Sequence, residues 1–263
     1  MTSARQVKVS VQVQPHHQTY DEMRAAWRRA EALGVDAIFN WDHFSPRFGD
    51  PDGNIYECWT ALASMAECTD EVMIGPLITV DAFRNPNLLA DMARTVDIIS
   101  GGRLILGLGA GGWDRDFADA GVELKSGRKR LEEMERHIPI IRDRMAAKNP
   151  PPLRGAIPIL VGGNGEKVTL RIVAAHADIW NGQGDPEDIG HLNRVLDDWC
   201  AKLGRDPREI ERSALLIRPH QAERADEYLE AGITHLVYSL RAPGNDFSPV
   251  ESLLEWRAGL VKP

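Results

Sequence analysis

The chain has 263 residues, 43% of them hydrophobic and 27% charged, enough apolar material for a sizeable core beneath a soluble surface. Its 31 basic and 39 acidic side chains leave a net charge of −8, and without a basic excess to neutralise phosphates the composition argues against nucleic acid or a membrane surface as partner. No apolar run approaches the roughly 18 residues that cross a bilayer, no h-region follows Arg5 and Lys8, and Cys58, Cys68 and Cys200 leave an odd count with no C-x-x-C, which reads as reduced thiols in a cytoplasmic protein.

Val7, Val9, Val11 and Val13 alternate with polar residues, a period-2 strand signal. Thr19-Tyr20-Asp21-Glu22 has capping-box form, and Met23, Ala26, Trp27, Ala30 and Leu33 follow at helical spacing up to the stop at Gly34. The alternation then repeats. Strands fit at Asp36–Trp41, Val72–Thr79, Arg103–Leu108, Ile157–Val161, Ala177–Trp180, Glu211–Ile217 and Thr234–Ser239. Helices fit at about Tyr56–Cys68, Pro86–Ile99, Arg128–Met145 (with Pro139 expected to kink it), Glu166–His176, Pro186–Leu203, His220–Ala231 and Val250–Leu260. Eight strands alternating with eight helices also suit a doubly wound sheet, but the count of eight and a length near the roughly 250 residues of a (β/α)8 barrel favour a single TIM-barrel domain over 1–263.

In such a barrel ligands bind at the C-terminal ends of the strands, so the residues there are the candidates. Asp42 and His43 end the second strand, where a histidine tuned by a carboxylate can polarise a substrate or pass a proton; the plainer alternative is a histidine that bonds a loop. Gly107-Leu108-Gly109-Ala110-Gly111-Gly112 ends the fourth strand with backbone that a flat ring or a phosphate can approach, yet lacks the acidic residue of a dinucleotide fingerprint. Val161-Gly162-Gly163-Asn164-Gly165-Glu166 ends the fifth and opens a helix, a ready anion site or simply a tight turn. Pro76 cannot donate to a ladder, so the third strand should be irregular near Leu77, Ile78 and Thr79. Trp41, Trp113 and Trp180, with His16 and His17, could wall a pocket. The histidines raise a metal-dependent hydrolase as competitor, but Gly162-Gly163 and Asn181-Gly182 end neighbouring strands without ligands, and no metal is expected.

Ala30-Glu31-Ala32-Leu33-Gly34-Val35-Asp36, Trp41-Asp42-His43-Phe44, Phe83-Arg84-Asn85-Pro86, Val96-Asp97-Ile98-Ile99-Ser100-Gly101-Gly102-Arg103, the fourth-strand glycines and Pro158-Ile159-Leu160-Val161-Gly162-Gly163, in this order, resemble the bacterial-luciferase-like flavin and deazaflavin oxidoreductases, in particular their coenzyme F420-dependent branch. The resemblance implies a barrel with the cofactor across its C-terminal edge. Asp42 and His43 would lie by the ring as catalytic residues, with Leu77, Ile78 and Thr79 at a bulge behind it that carries a non-prolyl cis peptide. Gly109, Ala110 and Gly111 would flank the cofactor, and Gly162, Gly163, Asn164 and Gly165 would take its phosphate. The implied chemistry is hydride transfer between F420 and a small-molecule substrate, with an FMN-dependent monooxygenase or a non-catalytic cofactor-binding barrel as alternatives and a homodimer as the family habit. An acidic cofactor tail would need local cations, for which Arg128, Lys129 and Arg130 are candidates with no place assigned. Two departures stand out: Gly112 replaces a glutamate of the family's sugar-phosphate dehydrogenases, and the segment expected to cover the pocket shrinks to Ala147–Ala156.

Overall fold

A computed structural model describes residues 7–260. In chain order its elements are β1 (Lys8–Val13), α1 (Tyr20–Leu33), β2 (Ala37–Asn40), α2 (Cys58–Cys68), β3 (Met73–Pro76), β4 (Thr79–Val80), α3 (Pro86–Ile99), β5 (Leu106–Gly109), α4 (Asp114–Asp119) and α5 (Gly127–Ala147). Then come β6 (Ile159–Gly162), α6 (Thr169–His176), β7 (Ile179–Gln183), α7 (Pro186–Leu203), β8 (Glu211–Leu216), α8 (Pro219–Ala222), α9 (Ala225–Glu230), β9 (His235–Leu240) and α10 (Ser248–Leu260). Among the described residues these nine strand segments pair in parallel in the order β3-β2-β1-β9-β8-β7-β6-β5-β4. β3 and β4 are two pieces of one barrel strand, and a bridge from Ile74 to Leu104 closes the ring. The result is the expected TIM barrel.

Local chemistry explains most of the elements. Thr19 and Glu22 form the reciprocal capping box of α1, and Gly34 ends it at φ +79°. The third strand breaks where Pro76 has no N–H to give: β3 stops there, the Leu77–Ile78 peptide is cis, and β4 resumes at Thr79. At this point the barrel wall is unusually tight. A Cβ on Gly75 would lie 2.2 Å from the Ile105 carbonyl, and one on Gly107 would lie 2.1 Å from the Pro76 carbonyl. Arg103, buried behind them, donates to the carbonyls of Ala66, Thr69, Val72 and Ser100 and so ties the end of α2 to the strand that follows α3.

Apolar side chains form a large shell between strands and helices and a smaller plug inside the barrel, made of Ala37, Phe39, Leu77, Ile105, Leu160, Ile179 and Val237. Several expectations shift. The helix from Gly127 runs on through Pro139 to Ala147. α6 begins only at Thr169, the helix expected over His220–Ala231 is two short ones, and α4 has no counterpart among the expected helices. The segment Ala147–Ala156 does not border the barrel mouth. It runs along the opposite edge, where Pro150 accepts from Arg94, Leu153 donates to Asp97 and Arg154 lies against Gly102.

Candidate active site

A cavity of about 910 Å³ opens at the C-terminal ends of the strands. Its floor is the apolar plug, capped by Leu77, Ile78 and Leu215, beside a polar chain in which Gln14 Nε2 donates to Ser239 Oγ, Ser239 to Gln12 Oε1 and Gln12 Nε2 to the Leu77 carbonyl at 2.7 Å. Two polar strand positions thus hold the irregular third strand from inside the barrel.

Asp42 reaches this cavity, but its carboxylate is committed elsewhere. It takes both Nη atoms of Arg84, at 2.5 and 3.1 Å, the Thr79 hydroxyl at 2.7 Å and the Val80 N–H at 3.0 Å. Arg84 also pairs at 2.6 Å with Glu57, the N-cap of α2. Burial pushes the Glu57 carboxyl up, yet the N–H and hydroxyl of Thr60, the N–H of Trp59 and the Arg84 charge outweigh it and hold it below the ordinary carboxylate range. Asp42 therefore fastens β4 to the end of β2. The acid that meets His43 is Asp116 on α4, whose Oδ2 bonds His43 Nδ1 and whose Oδ1 accepts from the Phe44 N–H at 2.9 Å. Asp116 is 2% exposed. Asp42 was expected beside His43 because it adjoins it in the chain; the acidic run after Trp113 was the one available hint of Asp116.

The glycines divide by role. Gly109 and Gly162 make room for Ile78, whose side chain lies 2.6 and 2.8 Å from where their Cβ atoms would stand. Gly111, at φ +63°, passes under Val80. Gly163, at φ +135°, lines the cavity with Asn164 and Thr169, while the Trp180 indole donates to its carbonyl at 3.0 Å. Asn164 Oδ1 accepts from Gln183 N at 3.0 Å, which pins the loop to β7. Arg130 reaches over from α5, bonding the carbonyls of Ala110 and Gly111 while lining the cavity. Arg128 instead pairs with Glu132 on the outer surface.

Leu77, Ile78, Gly109, Ala110, Gly111, Gly162, Gly163, Asn164, Trp41, Trp113, Asp42 and His43 thus share one cavity wall. Thr79, Gly165, His16, His17 and Trp180 stand off it. Thr79 is turned to Asp42 and Trp59, Gly165 lies against Thr169, and Trp180 is wholly buried under the loop it bonds. His16 is buried behind Trp41 and Phe48, with ring centroids 4.8 and 4.7 Å apart. His17, at φ +52°, bonds the Phe48 carbonyl at 2.6 Å and lines a separate hollow, so the pair braces the loop between β2 and α2. Among the described residues no group of three His, Cys, Asp or Glu side chains could hold a metal. No described helix is long and apolar enough to cross a membrane.

The luciferase-like monooxygenase family profile matches residues 3–260. Similar curated proteins include an F420-dependent glucose-6-phosphate dehydrogenase of Amycolatopsis mediterranei, 31% identical over 122 residues, 46% of this chain and 36% of that protein. Another is a 5,10-methylenetetrahydromethanopterin reductase of Archaeoglobus fulgidus, 29% identical over 199 residues, 71% of this chain and 56% of that one. The chain thus spans between about a third and a little over half the length of these relatives. A solved F420-dependent secondary alcohol dehydrogenase superposes with TM-score 0.81 at 16% identity, covering 95% of this chain and 98% of that one. The coenzyme F420 dependent tetrahydromethanopterin reductase of Methanopyrus kandleri gives the same score and identity over 98% and 100%. At such identity these structures establish the fold alone. The family match over nearly the whole chain goes further: the protein belongs to the luciferase-like monooxygenase family.

Proposed function

We propose that the protein is a coenzyme F420-dependent oxidoreductase that passes a hydride between the deazaflavin and a small organic substrate in the same cavity. The observation that carries this is the kinship with F420-dependent dehydrogenases and reductases. The residues present fit such a cofactor. About 910 Å³ lies in the upper part of the roughly 300–1,000 Å³ typical of small-molecule sites. Leu77 and Ile78 offer an apolar ledge for a flat ring. Gly163, Asn164 and Thr169 offer a phosphate site at the start of α6, with Arg130 nearby.

Bound there, F420 would supply the hydride chemistry at its ring carbon. The chain's own part is orientation and one proton. With Nδ1 held by Asp116, His43 has Nε2 left for the cavity, where it gives or takes the proton that accompanies the hydride. Trp41 and Trp113 stand edge-on to the His43 ring at 5.0 and 5.8 Å and exclude water beside it. We read the protein as a cytoplasmic homodimer, on its resemblance and its free cysteines.

Titration of the purified protein with oxidised F420 and with FMN, followed by tryptophan quenching and by ligand fluorescence, tests the reading. F420 should bind more tightly. Saturable FMN binding without F420 binding would overturn the reading in favour of a monooxygenase, and binding of neither would leave a barrel without this cofactor chemistry.

A further inference from the structure

Most arginines of this acidic chain are paired with carboxylates, among them Arg84, Arg144, Arg171, Arg212 and Arg224. The three that line the cavity are not, and of these Arg130 is taken up by the carbonyls of Ala110, Lys125 and Gly111. Among the described residues, Arg47 and Arg241 have no carboxylate partner and no hydrogen-bond acceptor, and each is held only by an aromatic face. The Arg47 guanidinium lies 4.4 Å from the Trp113 ring centroid and that of Arg241 lies 5.8 Å from the Phe48 ring. A cation–π contact of this kind leaves the guanidinium N–H donors free, the state suited to bidentate capture of a carboxylate or phosphate.

Topology separates these two from the glycine loop. Arg47 follows the second barrel strand (β2) and Arg241 the eighth (β9), and both strands flank β1. Gly163 and Asn164 follow the fifth strand (β6), across the mouth. A cofactor laid from Leu77–Ile78 towards Gly163 therefore leaves the Arg47–Arg241 side open to a second molecule, and His43 sits on that side, one ring away from Arg47 through Trp113.

We propose that Arg47 and Arg241 form an anion clasp for the substrate, so that the molecule oxidised or reduced here is an organic acid or phosphate ester whose apolar body lies among Trp41, Phe48 and Trp113. The placement of the cofactor in this argument rests on the function proposed above; the clasp itself does not need the cofactor to be bound. Phe48 is 44% exposed at the mouth, a cost in water that an apolar substrate body would remove. A neutral alcohol or aldehyde of the same shape would leave both guanidinium groups without a partner and gain nothing from them.

The same chemistry could come from an acidic cofactor tail, and the experiment separates the two. Phenyl phosphate, and phenol as its neutral counterpart, are titrated calorimetrically into wild type and into the Arg47→Gln/Arg241→Gln variant without cofactor; both proteins are then titrated with F420. The proposal expects phenyl phosphate to bind wild type more tightly than phenol and to lose about tenfold or more in the double variant, with a single Arg47→Lys change retaining part of the affinity. F420 affinity should change less than about threefold. Equal affinity for phenyl phosphate and phenol, or an unchanged affinity in the double variant, would overturn the clasp. Loss of F420 affinity with phenyl phosphate binding intact would reassign the arginines to the cofactor tail. A wild type that binds phenyl phosphate as expected but neither F420 nor FMN would refute the cofactor reading while leaving the clasp standing.

Discussion

The Cδ1 of Ile78 lies 2.6 Å from the point where a Cβ on Gly109 would stand, so the two residues share one volume. Gly162, on the next strand, is bare for the same reason. Glycines that read as clearance for a ligand are in the first place clearance for the chain's own third strand, and they let Ile78 pack over the plug at the cavity floor.

Gly109→Ala should therefore destabilise the fold by about 1–3 kcal/mol, the usual cost of overpacking. Combining it with Ile78→Ala should recover part of that loss, a coupling that a double-mutant cycle in denaturant measures directly. Strict additivity would mean that the strand moves aside and that the shared volume controls nothing.

The His43–Asp116 bond predicts a kinetic unit. With an identified substrate, His43→Gln should leave the cofactor bound and slow turnover by roughly 10²–10⁴. Asp116→Asn, which leaves the Phe44 N–H an acceptor but removes the carboxylate from Nδ1, should also slow turnover, and the double variant should be no slower than His43→Gln alone. Multiplying defects would place Asp116 outside the unit.

The loop after β6 can be tested without touching Gly163, whose φ of +135° makes any side chain costly there. Asn164→Asp keeps the acceptor for Gln183 N, gives up the Nδ2 donor to the Gln183 carbonyl and adds a negative charge at the cavity wall. Cofactor affinity should fall by more than the tenfold that corresponds to 1.4 kcal/mol, with a small change in thermal midpoint. Normal binding by this variant would make the loop a turn only.

Acid should weaken the fold through His16. Burial, and the charges of His17 and His43 when protonated, lower its imidazole from 6.5 to about 4. Its Nδ1 is buried without a partner and Nε2 bonds Gln14 at 3.1 Å. The unfolded chain takes up this proton more readily than the folded one. The contribution of His16 is thus fully present above pH 6.5 and is lost as pH falls towards about 4. Denaturation at pH about 7 and about 4.5 should show a loss on the order of 1–3 kcal/mol in wild type, reduced in His16→Asn. Equal slopes for the two proteins would clear His16 of the effect.

The alternation of strand and helix, the capping box at Thr19, the proline that opens α3, the break at Pro76 and the glycine exits of β5 and β6 were legible in the sequence. Each is a local matter: periodicity records which face of an element is buried, and proline, glycine and capping side chains act within a few residues of themselves. Tertiary structure decided the rest. Asp116 meets His43 across 73 residues, Asp42 is drawn to Arg84 across 42, and His16 is turned behind Trp41 by a loop that bridges back at Ile55. Such pairings follow from how the barrel closes and which strand ends become neighbours. The side chains that meet there carry no period in the chain, so adjacency in sequence pointed to Asp42 where the closed barrel presents Asp116.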